Sequence, residues 1–261
     1  MELEVVEGAV EDLRKKFRLG AAGVVLIGRM EVDFQVSDPT VSRLHLCIEG
    51  GEQGQSTVHD LKSTAGTFFK VGTAGAQLRV GDTVQVGRCE LIMTDLVYGD
   101  GGRVSFALDW TKTPIGTACD ADKFVFEFFS FDEVVTIGRT KNCDIYLSCD
   151  MEISLMHAEI SFQAGKLFIR DSNSKNGTWK KIVEPFPITI ASPDLKLGTT
   201  ILRVREADRI FQSCCVCLDL EVQVVLAPCG HLCLCIKCSD KISRCPICRR
   251  FVKEVIRCFP S

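Results

Sequence analysis

Long apolar runs, dense basic tracts and low-complexity segments are all missing from this 261-residue chain. Without an apolar stretch of about twenty residues, no membrane-spanning helix is expected, and the opening MELEVVEG has none of the character of a secretory signal. Positive charge is scarce as well. The formal net charge is −3 and the densest basic run is the short Arg14–Lys16, so neither nucleic acid nor a membrane is an expected partner. What is there is ordinary globular composition, 46% hydrophobic and 25% charged, with length enough for two or three small domains. An intracellular address is expected, cytoplasmic or nuclear, where thiols stay reduced.

Cysteine is abundant and unevenly placed. Of 15 cysteines, ten fall between Cys214 and Cys258, while Cys47, Cys89, Cys119, Cys143 and Cys149 are scattered. The scattered five read as small buried hydrophobes. The cluster reads as chemistry.

Up to about Val204 the pattern is β. Segments such as VVLIGR, TVQVG, RVSFALDW, AEISFQ and TTILRVRE are short, rich in Val, Ile, Phe and Thr, and bounded by turn residues. In one of them Ala158, Ile160 and Phe162 alternate with Glu159, Ser161 and Gln163, as in a strand with one buried face. The segment Val10–Phe17 reads as a helix or, equally, as a loop.

Three signatures occur twice, about 110 residues apart. Ile27-Gly28-Arg29, Ser42-Arg43-Leu44-His45 and Asp60 to Thr67 return as Ile137-Gly138-Arg139, Ser154-Leu155-Met156-His157 and Asp171 to Thr178. Each copy closes on a similar strand pair, LRVGDTVQVG and LKLGTTILRV. The spacing predicts tandem β-sandwiches over residues 1–98 and 102–206, hinged near Gly99–Gly102. Arginine, serine hydroxyl and glycine-flanked amides on loops suit an oxyanion, through charge-assisted, forked hydrogen bonds.

The ordered triplet GR, SxxH and DxxSxNGT resembles the forkhead-associated (FHA) domain, a β-sandwich that reads phosphothreonine peptides through loops at one end. The resemblance implies phosphopeptide contacts from Arg139, Ser154, Lys175 and Asn176 in the second copy, and from Arg29, Ser42, Arg43 and Thr64 in the first. It gives His45 and His157 a bracing role. Ala65 stands where the family usually has Asn, and Leu155 where an Arg is common, so each copy lacks one expected donor.

In the cysteine cluster, Cys214/Cys217, Cys235/Cys238 and Cys245/Cys248 are Cys-x2-Cys knuckles, and Cys229/His231 makes a fourth pair. Eight ligands suit two tetrahedral Zn²⁺ ions, with Cys215 and Cys233 as bystanders. The spacing resembles the RING finger of inhibitor-of-apoptosis proteins, expected over residues 209–261. That resemblance implies interleaved pairing, with Cys214, Cys217, Cys235 and Cys238 on one ion and Cys229, His231, Cys245 and Cys248 on the other. It also implies a docking face for a ubiquitin-conjugating enzyme at Val216, Pro246 and Ile247, a catalytic Arg249 that bonds both ubiquitin and that enzyme, and a tail that pairs two RINGs so that Phe259 reaches the partner's ubiquitin. The alternative for the tail is packing on its own domain.

The expected fold is therefore mostly β: two FHA-type sandwiches followed by a small zinc-bound α+β cross-brace. The expected function is a homodimeric RING-type ubiquitin ligase whose partners are a charged conjugating enzyme and phosphothreonine proteins. A phosphopeptide-binding scaffold, with a RING serving only zinc-dependent dimerisation, is the alternative.

Overall fold

The computed structural model describes residues 1–19, 23–51, 55–100, 103–112, 123–128, 133–148, 150–206, 214–217, 219–220 and 222–257. It divides into two compact units, Met1–Ala207 and Asp208–Ser261.

In the first unit, the strands of the first repeat are β1 (Glu2–Glu7), β2 (Lys16–Arg18), β3 (Gly23–Gly28), β4 (Phe34–Gln35), β5 (Leu46–Gly50), β6 (Ser56–Asp60), β7 (Thr67–Val71), β8 (Ala76–Leu78), β9 (Thr83–Val86) and β10 (Cys89–Tyr98). The second repeat supplies β11 (Val104–Lys112), β12 (Lys123–Phe128), β13 (Val134–Gly138), β14 (Ile145–Tyr146), β15 (Ala158–Gln163), β16 (Lys166–Asp171), β17 (Thr178–Lys181), β18 (Phe186–Ile188), β19 (Leu195–Leu197) and β20 (Thr200–Arg205). The segment read as helix or loop is neither in full. A 3-10 turn over Val10–Asp12 leads directly into β2.

The strands do not pair within their own repeats throughout. One ten-stranded sheet runs β12-β11-β10-β9-β17-β7-β19-β20-β1-β2, flanked by two five-stranded sheets, β14-β13-β15-β16-β8 and β18-β6-β5-β3-β4. The last three strands of each repeat complete the sandwich of the other. Thus β8 pairs with β16 and β18 pairs with β6, while β7 and β17 pair with each other at the centre.

The cores show the same exchange. One apolar cluster joins Leu78, Val84, Leu91 and Met93 to Phe106, Ile137, Ile160 and Ile169; the other joins Leu3, Ile27, Leu46 and Val58 to Ile188, Leu195, Leu202 and Val204. Each fully buried aliphatic or aromatic side chain contributes about 1.5–3 kcal/mol, so both sandwiches depend on strands from both repeats. The presumptive hinge is a hairpin connection. Tyr98 pairs with Val104 and the Gly99 amide donates to Arg103 O at 2.9 Å, with Gly101 and Gly102 outside the described residues.

Alternation along β15 holds for Ala158, Ile160 and Phe162, which are buried, and for exposed Gln163. Ser161 departs from it. It is 2% exposed and its hydroxyl accepts a hydrogen bond from Gln163 Nε2 at 3.3 Å.

The second unit holds β21 (Val224–Ala227), β22 (His231–Leu234), α1 (Ile236–Ser239) and β23 (Glu254–Arg257). Its small sheet runs β22-β21-β23 over an apolar cluster that includes Val224, Leu226 and Leu234. Among the described residues no helix is long and apolar enough to cross a membrane.

Candidate functional site

The loops of the first unit are built the same way twice. Gly28 and Gly138 end their strands where a side chain is sterically excluded, because a Cβ would lie 2.1 Å from Arg43 O and 2.2 Å from Leu155 O. That close approach fixes the following arginines. Arg29 Nε donates to Val41 O at 3.2 Å and Arg139 Nε to Ile153 O at 3.1 Å, which leaves the far end of each guanidinium at the loop surface.

Each histidine side chain ties two loops together. The Ser42 amide donates to His45 Nδ1 at 3.1 Å and the Ser154 amide to His157 Nδ1 at 3.1 Å, so each proton must sit on Nε2. There it donates to Gly66 O (3.2 Å) and to Gly177 O (3.1 Å). Both rings are 0% exposed, and burial holds both below 6.5 despite the carbonyls that face them. Ser42 Oγ and Ser154 Oγ accept the amides of Thr64 and Lys175 at 3.0 Å each, leaving their own hydroxyl protons to donate outward.

Bracing from Asp60 and Asp171 was not anticipated. Asp60 accepts from Ser63 Oγ and Thr67 Oγ1 at 2.6 Å each, and Asp171 from Ser174 Oγ at 2.6 Å and Thr178 Oγ1 at 2.8 Å. Their recurrence at the head of both DxxS signatures was the available signal. Asp38 and Asp150, each four residues before the motif serine, were also missed. They cap turns donated by the other repeat: Asp38 accepts from the Thr199 amide at 2.7 Å, Asp150 from the Arg88 amide at 2.6 Å.

The copies differ where the signatures differ. Asn176 Nδ2 donates to Glu152 O at 2.8 Å, an interaction Ala65 has no side chain to make. Leu155 leaves an apolar side chain 60% exposed where the first copy has exposed Arg43. Lys175 and Thr64 are exposed at the loop tips.

In the second unit the eight expected ligands come together as two sets, Cys214/Cys217/Cys235/Cys238 and Cys229/His231/Cys245/Cys248, with all ligand atoms of a set within 4.8 Å of one another. Cys217 Sγ and Cys235 Sγ are 3.9 Å apart, and Cys245 Sγ is 3.6 Å from His231 Nδ1. Ligand bonds of about 2.3 Å to sulfur and 2.0–2.1 Å to nitrogen in a tetrahedron require separations of about 3.8 and 3.6 Å.

Protonation equilibria agree with a cation site. Burial pushes the Cys214 thiol up, but amide donors of Cys217, Cys235 and Val216 outweigh it and bring it to about 6, while hydrogen bonding to Cys235, then burial, pushes Cys238 up to about 12. Four crowded thiols of this kind cannot all ionise without a compensating ion. Two Zn²⁺ ions fit the donor sets and would tie the knuckles into one cross-braced module.

The bystanders lie outside both sets. Cys215 is exposed, and Cys233 is buried, its thiol raised to about 12 by burial and by Cys215. A thiol so raised is a poor nucleophile at neutral pH. Val216 and Ile247 are 52% and 57% exposed, and Pro246 and Arg249 are exposed as well. Arg249 has φ +60° and its amide donates to Cys245 O at 2.8 Å, which anchors the backbone at the last knuckle. Part of the tail packs on its own module, with β23 an edge strand against β21 (Val225↔Ile256). Cys258 and Phe259 lie outside the described residues.

Comparison with known proteins matches the FHA domain model at residues 25–87 and 135–190, and the model "Zinc finger, C3HC4 type (RING finger)" at 211–255. Among relatives, Baculoviral IAP repeat-containing protein 3 of Homo sapiens is 40% identical over 26% of this chain and 11% of its own length. Death-associated inhibitor of apoptosis 2 of Drosophila melanogaster is 50% identical over 18% of this chain and 10% of its own. E3 ubiquitin-protein ligase SP1 of Arabidopsis thaliana is 30% identical over 34% of this chain and 21% of its own. The matched segments thus span at most about a fifth of these relatives. The FHA domain of CT664 from Chlamydia trachomatis is 25% identical over 25% of this chain and 65% of its own, at a TM-score of 0.24. The chain joins two forkhead-associated domains to a C3HC4 RING finger.

Proposed function

We propose that the protein is a RING-type ubiquitin ligase that captures phosphothreonine clients on its FHA loops and a ubiquitin-charged conjugating enzyme on its RING. The observation that carries this reading is the cross-braced ligand geometry together with the exposed Val216, Pro246 and Ile247 and the adjacent Arg249. The apolar trio offers a rigid docking face for the conjugating enzyme. The exposed Arg249 would bond ubiquitin and enzyme together through its guanidinium and hold the thioester ready for attack. Rate enhancement then comes from orientation and hydrogen bonding. The client lysine amine attacks the thioester carbonyl, so ubiquitin passes to the lysine as an isopeptide and the conjugating enzyme's thiol leaves, without a ligase cysteine. Pairing of two RINGs through the tail completes the proposal, supported by edge strand β23 with Val255 and Ile256 39% and 47% exposed.

The test is discharge of ubiquitin from a panel of charged conjugating enzymes onto free lysine. Wild type is expected to stimulate discharge, and Arg249→Ala and a truncation before Phe259 to lose at least about tenfold, or about 1.4 kcal/mol of transition-state stabilisation. Absence of stimulation from folded, zinc-loaded protein across the panel overturns the ligase reading and leaves a phosphopeptide-binding scaffold.

A further inference from the structure

The exchange of strands gives the first unit an internal two-fold axis. At its centre β7 and β17 run antiparallel, with Trp179 opposite Lys70 and Lys181 opposite Phe68. Phe68 and Trp179 each follow a Gly-Thr, and Lys70 and Lys181 come two residues later, so interchanging the repeats reproduces the same pairs. The contacts around them obey the same symmetry. A Cβ on Gly66 would lie 2.6 Å from Lys181 Cε, and one on Gly177 would lie 2.7 Å from Lys70 Cε. The donated turns do too, with the Thr199 amide on Asp38 and the Arg88 amide on Asp150.

A single cavity of about 1180 Å³ opens over this central ladder. Thr40 and Ala65, from the loops of the first copy, and Lys175 and Asn176, from those of the second, all line it, so loops of both sets border the same space. Its floor is Trp179, with Lys70 Nζ 6.0 Å and Lys196 Nζ 5.3 Å from the ring. The arginines that line it are already matched, Arg88 with Glu152 and Arg203 with Asp194. The register sets the scale. Thr178, which opens β17, falls opposite Val71, four residues along from Thr67, which opens β7, so the two strand starts are about 13 Å apart at about 3.3 Å per residue and the loop tips that precede them lie farther apart.

We propose that this cleft takes two phosphothreonine segments at once, running antiparallel, as a two-fold symmetric phosphoprotein presents them; the proposal rests on the phosphothreonine reading above. The argument is one of symmetry. The two-fold axis stands normal to the β7–β17 ladder, so whatever direction a segment lying across the sheet takes at one loop set, the opposite direction is required at the other. One continuous extended strand satisfies only one of them, whereas two copies of one segment related by a two-fold satisfy both. Charge does not forbid double occupancy. Phosphates held on loops beyond strand starts about 13 Å apart stand farther from one another than the Debye length of about 8 Å at physiological salt. The loop set with Ala65, which lacks a counterpart to Asn176, gains most from being filled at high effective concentration.

A degenerate phosphothreonine peptide array, probed with the full zinc-loaded chain, first supplies the tightest singly phosphorylated sequence. Fluorescence polarisation then compares that peptide with three doubled forms: two copies joined at their C-termini, two joined at their N-termini, and a head-to-tail tandem with a short spacer. One of the symmetric forms is expected to bind one-to-one and at least about tenfold tighter than the single peptide. Arg29→Ala should abolish that gain while single-peptide binding at the second loop set persists. The proposal is overturned if neither symmetric form exceeds the twofold statistical advantage, or if the head-to-tail tandem gains as much. Retention of no phosphothreonine peptide on the array sinks the phosphothreonine reading itself, a failure distinct from the other two.

Discussion

Replacing Asp38 with asparagine removes one negative charge and almost no volume, and it should loosen the whole first unit. The carboxylate is 1% exposed and takes five donors. Oδ1 accepts from the Thr40 amide at 2.8 Å and hydroxyl at 2.6 Å, and Oδ2 from the Thr199 amide and hydroxyl at 2.7 Å each and the Thr200 hydroxyl at 3.1 Å. Hydroxyls can turn away; the two amides cannot. An asparagine side chain must aim its NH₂ at one of them, losing a charge-assisted bond of about 1.5–3 kcal/mol and stranding an N–H at about 1–3 kcal/mol. A loss of about 3–5 kcal/mol is expected. Protonation offers a second measure. Burial alone would raise this carboxyl, but the Thr40 and Thr199 donors hold it at about 2 rather than 3.8, which corresponds to roughly 2 kcal/mol. Because the folded value is the lower one, that stability is fully present above 3.8 and disappears as pH falls from there through 2. Urea titration followed by tryptophan fluorescence isolates the effect, since Trp110 and Trp179 both precede the cysteine module. The difference between wild type and Asp38→Asn should narrow as pH drops through that window. Superimposable unfolding curves at pH 7 would refute the claim that Asp38 clamps the donated turn.

Two further outcomes are expected. His45 and His157 are held below 6.5 by burial, so the unfolded chain binds more protons than the folded one just below that pH; stability should be full above 6.5 and decline beneath it. A urea midpoint unchanged between pH 7.5 and 5.5 counts against this. Native mass spectrometry should find two zinc ions in wild type, Cys215→Ser and Cys233→Ala, and one or none in Cys235→Ser, with chelation unfolding the second unit while tryptophan fluorescence stays native. Loss of an ion from either bystander variant would overturn the ligand assignment.

The zinc ligands were legible because paired donors at fixed short spacing leave few ways to build two tetrahedra. The loop motifs were legible because each residue recurs with the same neighbours. The strand exchange was not, and the reason is degeneracy. The structural counterpart of LKLGTTILRV (β19–β20) is not LRVGDTVQVG, which spans the end of β8 and β9, but VQVGRCELIM over β9–β10. These two carry the same alternation, Val84, Val86, Cys89, Leu91 and Met93 matching Leu195, Leu197, Thr200, Leu202 and Val204, so the closing strands of either repeat bury an equivalent face in either sandwich. Only the path taken after Val71 and Lys181 distinguishes the arrangements, and residues such as Gly72 and Gly75 permit several. Asp38 escaped notice for another reason. An aspartate before Pro39 reads as an ordinary turn residue, and its clamping role exists only once Thr199, 161 positions away, is brought to it.

The crossed closing strands also order events at the ribosome. One sandwich is finished by β17, but the strands that seal the N-terminal one, β18 to β20, follow β7 by more than 110 residues. At about 5–20 residues per second, the nascent chain holds β1 to β6 with unpaired edges for on the order of 5–20 seconds. Through that interval the apolar faces of Leu3, Ile27 and Val58 lack their native cover, and a second nascent chain could lend its own β18 to β20 in place of the missing ones. Synthesis rate and polysome spacing therefore bear on whether the product emerges as a self-closed chain or as an entangled pair.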